Sequence, residues 1–493
     1  MMRAGRKAGP MVDPRPVFHV IGLMVSTLGG LMLIPAAVDA GLGNGNDGAF
    51  LLSAMVALGM GGTVALTTRD STGRGFSLRQ AYLLTALAWV TLPLFGSLPF
   101  QIGAPGLSFT DAYFEAVSGI TTTGSTMILG LDALPAGMNL WRGMLNSLGG
   151  LGIAFVAMIF LPVMRVGGMQ FFRVQGYDTL GKTMPRASDI ALSLLGVYAG
   201  LTVACVATYS ALGMTPIDAV VMGMATIATG GFAPTDLSFS KYPGVTEYAA
   251  ALFMVLGSLP YIRYVQLAGG SPTPLWQDRQ VRALLRWILL AVGIMAGWRL
   301  ATSADAAEPA LRTALLNVVS VFTGSGFFSG DVPGWGGFAL VLLFVVGLIG
   351  GCSGSSSGAL SVFRVQIILA AIAAQVRQVQ SPSRVAPVKY DGRGVDAETM
   401  DALILYVTGY ILAIGVLSVA LTLGEVDIVS ALFGVWTSIG NIGYGIGPMV
   451  AAGGGTFAAF PEPAKWVLIL AMLLGRLALL AVLVLLLPRF WRA

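Results

Sequence analysis

Four short stretches of this 493-residue chain carry residue types suited to handling a bare cation: TDAYFEAVSGITTTGS, IDAVVMGMATIATGGF, RTALLNVVSVFTGSGF and VSALFGVWTSIGNIGY. Aligned on one glycine each, Gly124, Gly231, Gly326 and Gly443, they keep a common register. Asp111, Asp218, Thr313 and Ser430 occupy one upstream position and are good helix N-caps. The residue after each is alanine: Ala112, Ala219, Ala314 and Ala431. Closer to the glycine stand Ser118, Ala225, Ser320 and Thr437, small each time. Agreement at three registered positions in four copies marks a fourfold internal repeat.

The chemistry follows from the last four residues of each copy. These are Thr121, Thr122, Thr123 and Gly124; Ala228, Thr229, Gly230 and Gly231; Thr323, Gly324, Ser325 and Gly326; and Gly440, Asn441, Ile442 and Gly443. Glycine lets the backbone turn its carbonyls inward without a Cβ clash. Carbonyl oxygens freed from helical hydrogen bonds can replace an ion's hydration shell, and threonine or serine hydroxyls add neutral ligands. None of the sixteen positions is a carboxylate, so the arrangement suits a monovalent cation rather than a divalent one. A plainer reading, that small residues let membrane helices pack closely, accounts for one such turn but not for four in register.

The elements that must position these turns come next. With 56% hydrophobic and 10% charged residues and a mean hydropathy of +0.81, the chain reads as an integral membrane protein, all-α, because its apolar runs are about 20 residues long and lack period-2 alternation. The runs fall at 17–38, 49–67, 78–100, 138–163, 188–213, 245–268, 282–303, 336–361, 402–424 and 464–488, which predicts ten spans. The first is read as a retained span, since no small-residue cleavage site follows it. Between each predicted cap and its turn there is room for about nine helical residues, roughly 13 Å at 1.5 Å per residue. That reaches only part-way into a hydrocarbon core of about 30 Å. Each short helix is therefore expected to re-enter from outside and stop at depth, where non-helical backbone is tolerated only if buried in protein or lining a water-filled path. Its partially negative C-terminal end then faces a passing cation.

Charge fits the same topology. Most of the 28 basic residues gather in alternate loops, from Arg3 to Arg15, Arg69 to Arg79, Arg165 to Arg186, Arg263 to Arg286 and Arg364 to Arg393, and at the C-terminus. By the positive-inside rule these loops and both termini are expected in the cytoplasm, which explains the net charge of +5 without nucleic acid. The single histidine, His19, and two cysteines in apolar or Gly-rich segments, Cys205 and Cys352, give no disulfide framework, thiolate metal site or His-based dyad. A membrane enzyme would need such a dyad or a carboxylate pair; Asp111 and Glu115 sit four apart, but Asp111 is read as a cap. Arg142, near the outer end of the fourth span, is read as an interfacial anchor in preference to a pore residue, and Arg476 in AMLLGRLALL as facing the protein interior, where a plain role is to partner backbone carbonyls, since an arginine in lipid is costly. GGCSGSSSG at 350–358 cannot be stable helix in a bilayer and is a break, a hinge or a close contact.

Three further stretches, LWRGMLNSLGGLGI at 140–153 continuing to VGGMQFFR at 166–173, IATGGF at 227–232, and GGCSGSSSG, make the chain resemble the Trk/Ktr/HKT superfamily of potassium transporters, particularly its bacterial Trk-H type. The resemblance spans nearly the whole chain. It implies four span–pore helix–span repeats around a central pore behind two extra N-terminal spans. The repeats are then 78–186, 187–280, 281–398 and 399–493, with 1–77 holding the tail and extra spans. It also implies that the sixteen turn positions form a potassium selectivity filter, and that Gly350, Gly351, Ser353, Gly354, Ser355, Ser356, Ser357 and Gly358 form an intramembrane gate with Arg476 beside it as an electrostatic barrier. The chain departs from the family in reading GALS, ending at Ser361, where members often read GGIK, and in filter copies TGSG and GNIG that are poor in threonine.

Potassium is then the transported ion, with no cofactor held by this chain. Sodium conduction or sodium-coupled symport is the alternative within the same fold; sodium-favouring relatives tend to carry serine at the first filter glycine, where this chain has Gly124. By the same resemblance the protein is a homodimer in the lipid of the bacterial inner membrane. It docks on a separate cytosolic nucleotide-binding regulatory subunit of the Trk-A type, for which the polar segment 375–401 is a candidate surface.

Overall fold

The structure is a computed structural model and describes residues 13–71, 76–155, 187–302, 306–381, 387–477 and 490–491. The VGGMQFFR stretch, the cationic segment 165–186 and the inner ends of the predicted fourth and tenth spans lie outside the described residues.

Helices dominate, as the apolar runs predict. Among the described residues seven helices are long and apolar enough to cross a membrane, or eight if one bent pair counts as a span, so the chain is a multi-pass membrane protein. The first run forms Arg15–Leu31 and Leu33–Leu42, which packs on Asp47–Thr67 so tightly that a Cβ on Gly22 would meet the Gly61 carbonyl.

Two predicted spans take a different form. The sixth is broken into Val245–Gly257 and Tyr261–Ala268, which meet at 91°. Pro260 lies in the break; it has no N–H to donate and disfavours helical geometry in the residue before it. The eighth stops at Ile349, runs without helix through 350–361, and resumes as Val362–Gln380, itself apolar enough to span. The apolar pattern alone ends this span at 361, because Arg364, Arg377 and several glutamines punctuate the residues beyond it. Arg364 is accommodated by burial: its guanidinium lies 4.1 Å from the Tyr406 ring centre and donates to the Leu360 carbonyl.

The four short helices are Phe109–Ile120, Pro216–Ile227, Ala307–Thr323 and Ile428–Ile439. Three of them have 12 residues, about 18 Å, too short to cross a hydrocarbon layer of about 30 Å. Their caps are not the aligned residues. Ser108, Thr215 and Asp427 sit at the N-caps and accept from the backbone N–H of Asp111, Asp218 and Ser430, which are the third helical residues. The third helix has 17 residues and starts without a side-chain cap, which leaves Thr313 inside it, bonded back to the Pro309 carbonyl. The register itself has a physical basis: all four aligned alanines are fully buried, where a methyl is what fits.

Capping energetics separate the two assignments. Ser108→Ala, Thr215→Ala and Asp427→Ala should each cost about 1 kcal/mol, whereas Thr313→Ala should be close to neutral. Thermal unfolding in detergent checks this, and equal losses at Thr313 and Ser108 would return the cap to the aligned position. Burial alone would raise the Asp427 carboxyl, but hydrogen bonds from Ser430 and the N–H of Val429 outweigh it and hold the group below the usual carboxylate range. Its contribution is therefore fully present above the ordinary value near 4 and is lost as pH falls through the lowered one. The Asp427→Ala deficit should shrink in acid.

Candidate ion pathway

Each short helix ends in the same hydrogen-bonded turn. The N–H of Thr123, Gly230, Ser325 and Ile442 donates to the carbonyl of Ser118, Ala225, Ser320 and Thr437 at 2.8, 2.8, 2.8 and 2.9 Å. The N–H one residue earlier, on Thr122, Thr229, Gly324 and Asn441, reaches back three residues to Gly119, Thr226, Val321 and Ser438. This pair of bonds is the Schellman closure, which requires a left-handed residue just past the helix. Thr122, Thr229, Gly324 and Asn441 occupy that position with φ of 50°, 50°, 75° and 49°. The aligned glycines, two residues on, are left-handed again, with φ of 87°, 73°, 73° and 81°. The small residues upstream of each glycine thus have a definite role, because it is their carbonyls that close the turn.

The four turns close on one another in a ring. A Cβ on Gly124 would run into the carbonyl oxygen of Gly230, one on Gly231 into that of Ser325, one on Gly326 into that of Ile442, and one on Gly443 into that of Thr123. Each glycine thus lies against the carbonyl that precedes the next glycine, and the fourth returns to the first. Outside the ring opens a vestibule of about 340 Å³ whose lining includes all four glycines together with Asp236 and Asp331. Apart from the four aligned glycines, which are half-buried, the turn residues are buried, and their polar side chains are tied together: Thr121 to Thr123 at 2.7 Å, Thr323 to Ser325 at 2.9 Å, and the Asn441 amide to Thr123 at 2.9 Å.

On the other side of the ring lies the segment 350–361. Gly350 and Gly354 are left-handed, as are Ala359 and Ser361. Ser356 Oγ donates to the carbonyls of Ile227 and Gly257 at 3.1 and 3.2 Å and accepts from Thr229 Oγ1 at 3.2 Å. Ser357 Oγ donates to the Thr323 carbonyl at 2.7 Å. Gly358 is pressed on the Gly440 carbonyl and Gly351 on Ser357. Ser353 bonds Ser361 and the side chain of Gln280, and Ser355 bonds the Cys352 carbonyl. Arg476 joins this segment to the ring: its guanidinium donates to the Thr121 carbonyl, to Thr122, and to the Ser356 carbonyl at 3.0 Å. All sequence-predicted turn and gate residues therefore meet in one region.

Two readings from sequence are corrected by the structure. Arg142 is not an interfacial anchor. It is 1% exposed, paired at 2.8 Å with fully buried Glu115, bonded to the Ala233 carbonyl at 2.7 Å, and stacked 4.2 Å over the Phe232 ring. A buried guanidinium needs such partners, and only the fold brings Glu115 beside it. Asp111, read as a cap, instead pairs with Lys465 at 2.6 Å, and this clamps the first short helix to the last described helix, Glu462–Leu477. A similar clamp at the second repeat uses Lys241, 3.0 Å from both Asp132 and Asp218. Burial would lower its ammonium, but the hydrogen bonds with these carboxylates outweigh that and raise it above the usual lysine value. Residues that sequence reading missed include Tyr261, whose hydroxyl donates to the Ile227 carbonyl at 3.2 Å, and buried Asn146, packed on Gly230.

Known proteins share this architecture. The crystal structure of the potassium transporter TrkH from Vibrio parahaemolyticus superposes with a TM-score of 0.90 at 31% identity, over 98% of this chain and all of that one. The Trk system potassium uptake protein TrkI of Halomonas elongata is 40% identical over 415 residues, 84% of each chain. Its counterpart named TrkH in Escherichia coli is 33% identical over 485 residues, 97% of this chain and 99% of that one. The family model TrkH, described as cation transport protein, matches residues 49–267 and 282–492. The chain belongs to the TrkH family of cation transport proteins.

Proposed function

We propose that the chain takes up potassium across the bacterial inner membrane through the ring of four turns, with the sixteen turn residues as its selectivity filter. The observation that carries this reading is the closure of the ring: four left-handed glycines, each seated on the next repeat's carbonyl, hold four sets of backbone oxygens around one axis. Carbonyl dipoles in such a setting replace the water of a monovalent cation. The segment 350–358 is the gate, because its serines and Arg476 occupy the inner face of the ring and donate to the last carbonyls of the short helices. Relatives named for potassium uptake support potassium over sodium, as does glycine rather than serine at Gly124.

In this reading both termini face the cytoplasm, the protein works as a homodimer with one pore per chain, and a separate nucleotide-binding subunit of the Trk-A type controls the gate. The name Trk system carried by the relatives accords with more than one component. The docking surface is the cationic side, where a two-strand hairpin, Lys389–Tyr390 with Arg393–Gly394, joins Val362–Gln380 to Ala397–Thr422.

Flux into proteoliposomes tests the filter. Wild type should pass potassium and rubidium well ahead of sodium and lithium; passage of none of them would sink the proposal. Gly124→Ser should lower both the rate and the preference for potassium, since its side chain meets the Gly230 carbonyl. Unchanged rate and preference in that variant would place the filter elsewhere.

The gate is tested by deletion within 353–357, which should raise flux by removing the serine contacts under the ring. A well-folded deletion protein with wild-type flux would mean that the segment only packs the helices.

A further inference from the structure

Nine residues before the aligned glycines stand Glu115, Met222, Asn317 and Gly434, polar in the first and third repeats and apolar in the second and fourth. The two polar residues do the same thing. Glu115 Oε2 accepts the N–H of Met127 at 2.8 Å, and Asn317 Oδ1 accepts the N–H of Ser329 at 3.3 Å; both donors lie three residues past their glycine. Each side chain therefore ties the short helix to the strand of backbone leaving the ring. Both are fully buried.

Both are also linked to the same place in the next repeat, Asn317 directly and Glu115 through Arg142. Tyr444, directly after Gly443, donates its hydroxyl to Asn317 Oδ1 at 2.7 Å. Phe232, directly after Gly231, lies under Arg142, whose Nε is bonded to Glu115 and whose Nη1 holds the Ala233 carbonyl. Thr126, two residues after Gly124, bonds Glu115 at 3.0 Å and closes this brace on its own side. The outer ring is thus braced by polar groups between repeats one and two and between three and four. The other two junctions have no polar side chain at the aligned position; there Phe239 and Phe327 meet edge to face at 4.9 Å, the Ser238 and Ser240 hydroxyls accept the N–H of Phe328 and Gly330 at 3.2 and 3.0 Å, and Phe457 N–H bonds the Thr126 carbonyl.

We propose that Glu115 with Arg142, and Asn317 with Tyr444, are positioning elements that set the width of the ring in pairs of repeats and so decide which monovalent cation is favoured. They touch no ion. They fix the residue after Gly231 and the residue after Gly443, and through them the carbonyls on either side of those glycines. A cage of neutral oxygens discriminates by its size and by how firmly its dipoles are held, so slack at one brace changes preference before it changes passage. The inference rests on the ring being the filter.

The test is the potassium-to-sodium flux ratio of the full-length protein in proteoliposomes, with melting temperature measured on the same samples. Tyr444→Phe removes a single hydroxyl, and Arg142→Lys keeps the charge but loses the fork that holds Ala233 and the face that stacks on Phe232. Each should lower the ratio roughly fivefold, equivalent to about 1 kcal/mol at 1.4 kcal/mol per tenfold, with total cation flux retained. Met222→Leu, at the aligned position without a brace, should keep the wild-type ratio. If Arg142→Lys fails to fold, Tyr444→Phe decides. Variants that keep the ratio, whether or not flux or melting temperature falls, show a merely structural brace and overturn the proposal. A wild type that passes both ions equally defeats the filter reading itself, which is a separate failure.

Discussion

The absence of room for four Cβ atoms governs this structure. Each aligned glycine is pressed on a carbonyl of the next repeat, and the set closes only because the fourth returns to the first. A turn that must lie so close to its neighbour has to leave the helix abruptly, which the Schellman closure achieves within two residues. That closure puts a left-handed residue at a fixed place, and in three of four copies it is not glycine but Thr122, Thr229 or Asn441. Left-handed backbone costs a non-glycine residue about 1–2 kcal/mol, and such strain persists where surrounding contacts over-determine it. Those contacts are visible: Thr122 is held by Arg476, Thr229 by Ser356, and Asn441 by Thr123 and the Met472 carbonyl.

The bilayer adds a second demand. Short helices that stop inside a membrane leave C-terminal carbonyls with no helical partner and no bulk water. Here donors are brought to them from elsewhere in the chain. Ser356 and Tyr261 serve the Ile227 carbonyl, Ser357 serves Thr323, and Arg476 serves Thr121. The broken segment 350–361 therefore completes the hydrogen bonding of the ring from below. Bonds of this kind contribute about 1 kcal/mol each on balance, and together they hold the segment against the ring.

How much of this is legible in the sequence varies with how local the cause is. The glycines, the small residues before them and the interrupted eighth span are readable, because each answers to backbone geometry within a few residues. The caps are harder: the aligned Asp111, Asp218 and Ser430 resemble caps, but the true caps, Ser108, Thr215 and Asp427, precede them by about one turn. Val362–Gln380 is hidden by Arg364, whose aromatic partner Tyr406 lies on a distant helix. Arg142 misleads for the same reason, since nothing in its own neighbourhood announces Glu115. The bend at Pro260 has a local signal, and only the continuous apolar pattern around it argues for one straight span.

The two buried arginines show how differently the same residue type can be accommodated. Arg142 lines the outer vestibule, but its charge is matched by Glu115 at 2.8 Å in a site where neither is exposed, so the pair presents little net field to an approaching cation. Among the described residues the partners of Arg476 are carbonyls and a hydroxyl, with no carboxylate. Neutral acceptors satisfy its hydrogen bonds without cancelling its charge. That charge lies against Thr121 and Thr122, and in a low-dielectric surrounding its field is felt far more strongly than in water. In the proposed pathway, an outer arginine paired with a carboxylate and an inner one bonded to neutral acceptors would make the path permissive at its mouth and resistant at its base. The serine segment and Arg476, bonded to each other through the Ser356 carbonyl, would have to move together for that resistance to fall.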